Sequence, residues 1–153
     1  MIQIIYRNAI LSDIEVIHPL VYKYAQEGLM LARSRNQLYE TLRDMIVAEE
    51  NGEILGVGGL HIVWDEIAEV RTLAVAKQAT RRHIGSEIVS RLIADGKKLG
   101  VKKFFTLTYQ PEFFSSLGFK EVTKDELPQK VWKECIDCPK FPNCDEIAMI
   151  LSD

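Results

Sequence analysis

The stretch from Val70 to Ile93, VRTLAVAKQATRRHIGSEIVSRLI, decides the fold. It reads as an apolar strand, a short basic loop, and a helix that opens at Ile84-Gly85-Ser86. The first N–H groups of a helix lack intrahelical partners and sit at the positive end of its dipole. A loop that enters there with Arg81 and Arg82 is therefore suited to cradle phosphate, which points to a nucleotide-like ligand.

C-terminal to this join, the helix carries Ile84, Ile88, Leu92 and Ile93 at helical spacing. It should end near Lys97-Lys98-Leu99-Gly100, because basic residues followed by glycine suit a helix C-terminus. Phe104 to Thr108 reads as the next strand. Pro111-Glu112-Phe113-Phe114-Ser115-Ser116-Leu117-Gly118-Phe119 reads as a short helix with proline in its first turn and glycine at its end, leading into another strand. A last strand is expected from Glu146 to Leu151, after a cysteine-rich loop.

On the N-terminal side, Asn51-Gly52 lies between two β-rich runs, Ile46-Val47-Ala48-Glu49 and Ile54 to Val63, which is a strong hairpin signal. Gly56, Gly58 and Gly59 would weaken the second strand, so they mark a bulge or a place where something approaches the backbone closely. Trp64-Asp65-Glu66 turns into the strand from Ala68 to Val75. Earlier still, Ile2 to Tyr6 alternates like a strand. Ser12 or Asp13 is placed to cap a helix with Ile14, Ile17, Val21, Tyr24 and Ala25 on one face, ended by Gly28. A second helix is expected from about Arg35 to Met45, after the link Leu29-Met30-Leu31-Ala32-Arg33-Ser34. The order β, α, α, three meandering strands, α, β, α, β predicts an α/β fold in the α+β sense: a mixed, mostly antiparallel sheet with helices on its faces.

With 153 residues, 47% of them hydrophobic, the chain is expected to form a single domain, 1–153, with a core that needs no staples. A net charge of −3 gives no overall basic field, so no nucleic-acid partner is expected. No apolar run approaches the ~20 residues that span a bilayer, and no leader-like start is present, so the reading is cytoplasmic with no membrane partner. Cys135, Cys138 and Cys144 are odd in number and clustered, which suits reduced thiols or a metal better than a secreted disulfide framework.

The element order, the strand-loop-helix at 70–93 and the later Phe113-Phe114…Leu117-Gly118-Phe119 together resemble the GNAT acyl-coenzyme A N-acyltransferases across nearly the whole chain. In that family the loop pattern Arg/Gln-x-x-Gly-x-Gly/Ala binds the coenzyme A pyrophosphate. Here its positions are Thr80, His83 and Gly85, and only the last matches. Leu31-Ala32-Arg33-Ser34, Ala68-Glu69-Val70-Arg71-Thr72-Leu73-Ala74-Val75, and the tail from Leu127 to Pro142 are similar to the short-form N-acetylglutamate synthases of arginine biosynthesis.

The resemblance implies acetyl transfer from acetyl-CoA to the α-amine of L-glutamate by direct attack in a ternary complex. The strand ending in Leu73-Ala74-Val75 would splay from its neighbour and bond the pantetheine arm, its backbone N–H polarising the acetyl carbonyl. Arg81, Arg82, His83, Ile84, Gly85 and Ser86 would hold the pyrophosphate. His83 stands where the family has glycine: at negative φ the backbone cradle survives, and at positive φ the loop is strained.

Glu69 and Arg71 are two residues apart in a strand and so share a face. There Glu69 could take the amine proton through water while Arg71 holds substrate carboxylate, or the two could form a plain surface ion pair. Glu66 is the fallback base. Arg33 in its apolar-flanked link suits bidentate binding of a carboxylate, and its alternative is an exposed loop arginine. Arg35 and Lys130 are weaker candidates, read as solvated. Where many family members place a tyrosine as acid, this chain has Phe114. Tyr109 is the replacement candidate, its alternative being a packed aromatic, or the thiolate leaves without a donor.

The cosubstrate implied is thus acetyl-CoA, with no metal required. Three thiolates with Asp145 or water make zinc at the cysteine cluster an open alternative, although structural zinc sites usually close with four Cys/His ligands. The partners implied are L-glutamate or another amine (amino acid, polyamine or peptide N-terminus) and coenzyme A, with a homodimer left open. The rival from another class is a non-catalytic coenzyme A-binding or interaction module, for which Thr80, His83 and Phe114 speak.

Overall fold

The structure, a computed structural model, describes residues 3–30, 32–80, 82–123, 126–127 and 146–152. At Asn51-Gly52 both residues take left-handed backbone, with φ of 54° and 78°. That is the twist a two-residue hairpin turn needs, and it joins β2 (Met45–Glu50) to β3 (Glu53–Trp64) in antiparallel pairing. A second reversal at Asp65-Glu66, with φ 64° at Glu66, sends the chain back as β4 (Ile67–Val75). β1 (Ile5–Asn8) pairs with the outer side of β2. β5 (Lys103–Thr108) lies parallel to β4, and β7 (Ile147–Ser152) inserts between β5 and β6 (Lys120–Val122). Among the described residues the sheet therefore runs β1-β2-β3-β4-β5-β7-β6 with β4-β5 its one parallel pair, the mixed, mostly antiparallel sheet expected.

Helices cover both faces. On one, α1 (Ile14–Gln26) and α2 (Arg35–Glu40) pack Ile14, Ile17, Val21 and Leu38 against Met45, Val47, Val57 and Ala74. On the other, α3 (Ile84–Leu99) buries Ile84, Ile88, Val89 and Leu92 against Ile46, Ala48, Leu60 and Val70. The short α4 (Pro111–Ser116) adds Phe114 to that second core. Burying these side chains is the main stabilising term, at about 1.5–3 kcal/mol for each large aliphatic residue.

Some local expectations are corrected. The second helix ends at Glu40, and after a 3-10 turn at Leu42–Asp44 the chain is already strand at Met45. Met45 and Val47 face the first core while Ile46 and Ala48 face the second, an alternation of period two that no helix satisfies. Ser34 caps α2 by accepting from the Gln37 N–H at 3.1 Å, with Gln37 returning a bond to the Ser34 N–H. Asp13 does not cap α1 through its side chain. Its carboxylate accepts instead from the Ile10 N–H at 2.8 Å and from both Arg7 Nη atoms. The Arg7 guanidinium, aided by that N–H, holds the Asp13 carboxyl below the usual carboxylate range against the opposing effect of burial. The first strand starts at Ile5, and the last runs one residue beyond Leu151.

The glycines of β3 are explained by α3. A Cβ at Gly58 would lie 2.6 Å from Ile88 Cγ2, and one at Gly56 would lie 3.0 Å from Ile84 Cγ2. Without side chains at these positions the helix settles directly on the sheet. Gly58→Ala should therefore destabilise the fold by about 1–3 kcal/mol through overpacking, a fall of several degrees in Tm on thermal unfolding. An unchanged Tm would mean that α3 does not approach this closely.

Candidate active site

The site is organised by an irregularity in β4. Val57 pairs with Ala74 and Gly59 with Arg71, so Gly58 alone stands opposite both Thr72 and Leu73. This is a β-bulge on β4, and Thr72 takes φ 60° to make it. Left-handed backbone at a β-branched residue costs on the order of 1–3 kcal/mol, strain of the kind that collects at functional sites. The bulge changes which residues face which side. Before it, Ala68 and Val70 pack under α3, leaving Glu69 and Arg71 on the α1/α2 face. After it, Leu73 and Val75 turn toward α3 and Ala74 toward α1 and α2.

Next to the bulge the sheet opens. Parallel pairing of β4 with β5 stops at Glu69 and Phe105, and Thr106 Oγ1 adds one more tie by donating to Val70 O at 2.9 Å. Beyond that point no further pairing joins the two strands among the described residues, in keeping with the splay that the family resemblance implies. Because the Ala76 N–H bonds Leu55 O on β3, strand alternation turns the N–H groups of Leu73 and Val75 away from β3, into the opening.

The N-terminus of α3 adjoins this opening. A Cβ on Gly85 would lie 3.6 Å from Val75 Cγ2 and 3.3 Å from the Phe113 ring, so the start of the helix packs against side chains of β4 and α4. Among the described residues the Glu87 N–H is the first to find a backbone acceptor in this turn, at His83 O, and Ser86 Oγ donates to the same oxygen. Among the described residues no backbone acceptor meets the N–H groups of Ile84, Gly85 and Ser86. A pyrophosphate fits that donor set. His83 has φ 60° and ψ 23°, which selects the strained branch of the alternative drawn from sequence. Histidine tolerates this conformation better than most residues but pays for it relative to glycine. His83→Gly should leave acetyl-CoA affinity unchanged or improved in a titration, whereas a large loss would show that the imidazole itself holds the ligand.

Arg82 projects to the end of β2, where its Nη atoms meet the Glu50 carboxylate at 2.9 and 2.6 Å and hold that carboxyl below its usual range. Arg81 lies outside the described residues. Glu69 and Arg71 are brought together, Arg71 Nη1 lying 3.8 Å from Glu69 Oε1, and both side chains are largely buried. They are not a solvated surface pair. Tyr109, half-buried, directly follows β5, the strand that parts from β4. Phe114 packs edge-on to Phe113 and Phe119 in the core.

Arg33, in the link between α1 and α2, is half-buried, and its Nε is buried with no hydrogen-bond partner among the described residues. Arg35 is solvated, 3.4 Å from Glu15, and Glu66 is exposed beside Lys102. Lys130, Cys135, Cys138, Cys144 and Asp145 lie outside the described residues. Within the described ones, no group of three His, Cys, Asp or Glu side chains is arranged to hold a metal, and no helix is long and apolar enough to cross a membrane.

Sequence reasoning missed one pair: His61 Nδ1 lies 2.8 Å from Asp44 Oδ2. Register reveals only the other neighbour of His61, because the turn at Asp65-Glu66 sets it across from Glu69.

A strand that bulges and parts from its parallel neighbour, with a glycine-bearing helix N-terminus beside the gap, is the arrangement that the family resemblance implies for an acyl-coenzyme A. Residues 12–119 match the acetyltransferase (GNAT) family, and the chain belongs to it. It is an acetyl-CoA-dependent N-acetyltransferase. Among its relatives, an uncharacterized N-acetyltransferase of Chlorobaculum tepidum is 39% identical, the match covering 94% of this chain and 93% of that protein. The amino-acid acetyltransferase of Mycobacterium tuberculosis is 35% identical over 84% of this chain and 75% of its own. The crystal structure of Rv2747 from Mycobacterium tuberculosis in complex with CoA and NLQ superposes with a TM-score of 0.85 at 32% identity. It covers 97% of this chain and 99% of that one.

Proposed function

We propose that this acetyltransferase acts on the α-amine of L-glutamate, supplying N-acetylglutamate for arginine biosynthesis, by direct attack in a ternary complex. The observation that carries the reading is the Arg33 Nε, a buried donor on a cationic group with no partner among the described residues. Leaving such a donor unpaired costs about 1–3 kcal/mol or more, and a carboxylate from the acceptor removes that cost. Arg71, nearly buried on the acceptor face, supplies a second guanidinium, which suits a dicarboxylate. The similarity to an amino-acid acetyltransferase supports the same class of acceptor.

In this reading Glu69 takes the proton from the acceptor amine through water while Arg71 and Arg33 hold its carboxylates. The N–H groups turned into the β4-β5 opening at Leu73 to Val75 bond the pantetheine arm and polarise the acetyl carbonyl. Ile84, Gly85 and Ser86 receive the pyrophosphate through backbone, with Arg81, Arg82 and His83 around it. The anion competes with Glu50 for Arg82. Tyr109 supplies a proton to the departing thiolate. A panel of amino acids, polyamines and peptide N-termini, followed by thiol release from acetyl-CoA, tests the acceptor. L-Glutamate should give the highest kcat/KM, and a preference for a diamine or a peptide would overturn the assignment.

A further inference from the structure

Each transfer from an acyl thioester to an ammonium group yields an amide, a thiol and one proton, which has to leave the site. Glu69, the proton acceptor in the reading above, is poorly placed to release it, because its side chain is only 13% exposed and lies beside Arg71 at 8%. His61 stands next to it. The β3-β4 pairs run without interruption from Gly59–Arg71 through Leu60–Val70 and His61–Glu69 to Ile62–Ala68. Directly opposed residues of an antiparallel pair share a face, with Cβ atoms about 4.5–5.5 Å apart. The imidazole and the carboxylate are therefore cross-strand neighbours on the α1/α2 face.

His61 is also oriented from its other side. Asp44 sits in the 3-10 turn entering β2, its backbone fixed against β3, where a Cβ at Gly59 would lie 3.6 Å from Asp44 O. Its carboxylate meets His61 Nδ1 at 2.8 Å. In the neutral imidazole that contact assigns the proton to Nδ1 and makes Nε2 the basic nitrogen. Exposure rises along the series, Asp44 at 28% and His61 at 32%, so the imidazole reaches solvent where Glu69 does not. Among the described residues the charged groups placed around the imidazole are Asp44 from the turn, and Glu69 and Arg71 from β4.

We propose that His61, positioned by Asp44, is the proton outlet of the acceptor site. The ammonium N–H bond breaks as an O–H bond forms on Glu69, directly or through water. That O–H bond breaks as Nε2–H forms on His61. The imidazolium, stabilised by Asp44, then gives the proton to water, and both groups return to their starting states with no change in oxidation. The proposal rests on Glu69 as proton acceptor and not on which amine is the substrate.

The test uses the full chain with its best acceptor. His61→Gln should lower kcat about ten- to a hundredfold in dilute buffer and alter its pH dependence, with both KM values nearly unchanged. In His61→Ala, free imidazole should restore kcat, and Asp44→Asn should show a smaller loss of the same kind. Glu69→Gln should not respond to imidazole. An unchanged kcat in His61→Gln, or a loss that imidazole cannot restore in a folded His61→Ala, would overturn the outlet while leaving Glu69 as acceptor. A Glu69→Gln enzyme as active as the parent would instead overturn the reading on which the outlet rests.

Discussion

Glu69→Gln is expected to lower kcat by about 10²- to 10⁴-fold, the usual contribution of a positioned general base. The substitution keeps shape and removes the acceptor of the amine proton. Glu69 is nearly buried, 3.8 Å from Arg71, so the amide should keep its place without loosening β4. The KM for acetyl-CoA should hold, because the proposed reading places the coenzyme at the opening beyond the bulge and at the start of α3, not on this face. Steady-state kinetics with both substrates varied will show whether the loss falls on kcat. If kcat/KM falls only through the acceptor KM, Glu69 binds substrate and does not take its proton.

Arg33→Ala and Arg71→Ala are expected to raise the acceptor KM by about tenfold to somewhat over a hundredfold, as hydrogen bonds to charged groups contribute about 1.5–3 kcal/mol each. The two should differ in kcat. Among the described residues the Arg33 Nε is buried and unpartnered, so its loss should fall on KM alone. Arg71 also accompanies Glu69, so its loss should lower kcat as well. Lysine should restore little at Arg33, since a point charge does not reproduce the planar fork. Equal effects of either substitution on the acetyl-CoA and acceptor KM values would remove the carboxylate-binding role.

Much of this architecture was legible in the sequence because particular residues have narrow uses. Asn51-Gly52 could serve only a tight hairpin, and Gly28 and Gly100 mark helix ends by the positive φ they adopt. The strand-loop-helix from Val70 onward placed β4 and the start of α3, and the splay of the strand came from the family resemblance. The end of the second helix was not legible, because the apolar pair Met45-Ile46 suits a helical stripe as well as alternate faces of a strand. Packing on both sides decided for the strand.

The β3 glycines were read as a bulge or a place of close approach, and the bulge that shapes the site sits on β4 at Thr72. A β-branched side chain disfavours that backbone, and only the surrounding sheet imposes it. At the β3 glycines the close approach is the outcome, and its partner is α3, an identity that local pattern does not reveal. Within the site, Glu69 and Arg71 followed from strand periodicity. The orphaned Nε of Arg33 and the Asp44–His61 pair, 17 residues apart, depend on tertiary placement. Thr80 and His83 depart from the family's loop pattern. The site nevertheless keeps its donors because they are backbone groups of Ile84, Gly85 and Ser86.

The most direct measurement is the identity of the product. With L-glutamate and acetyl-CoA carrying ¹³C in the acetyl group, NMR of the reaction should show one labelled amide, on the α-nitrogen of glutamate, formed in step with coenzyme A thiol. Thiol release without that amide, or no labelled glutamate under conditions in which another amine is acetylated, would contradict the assignment.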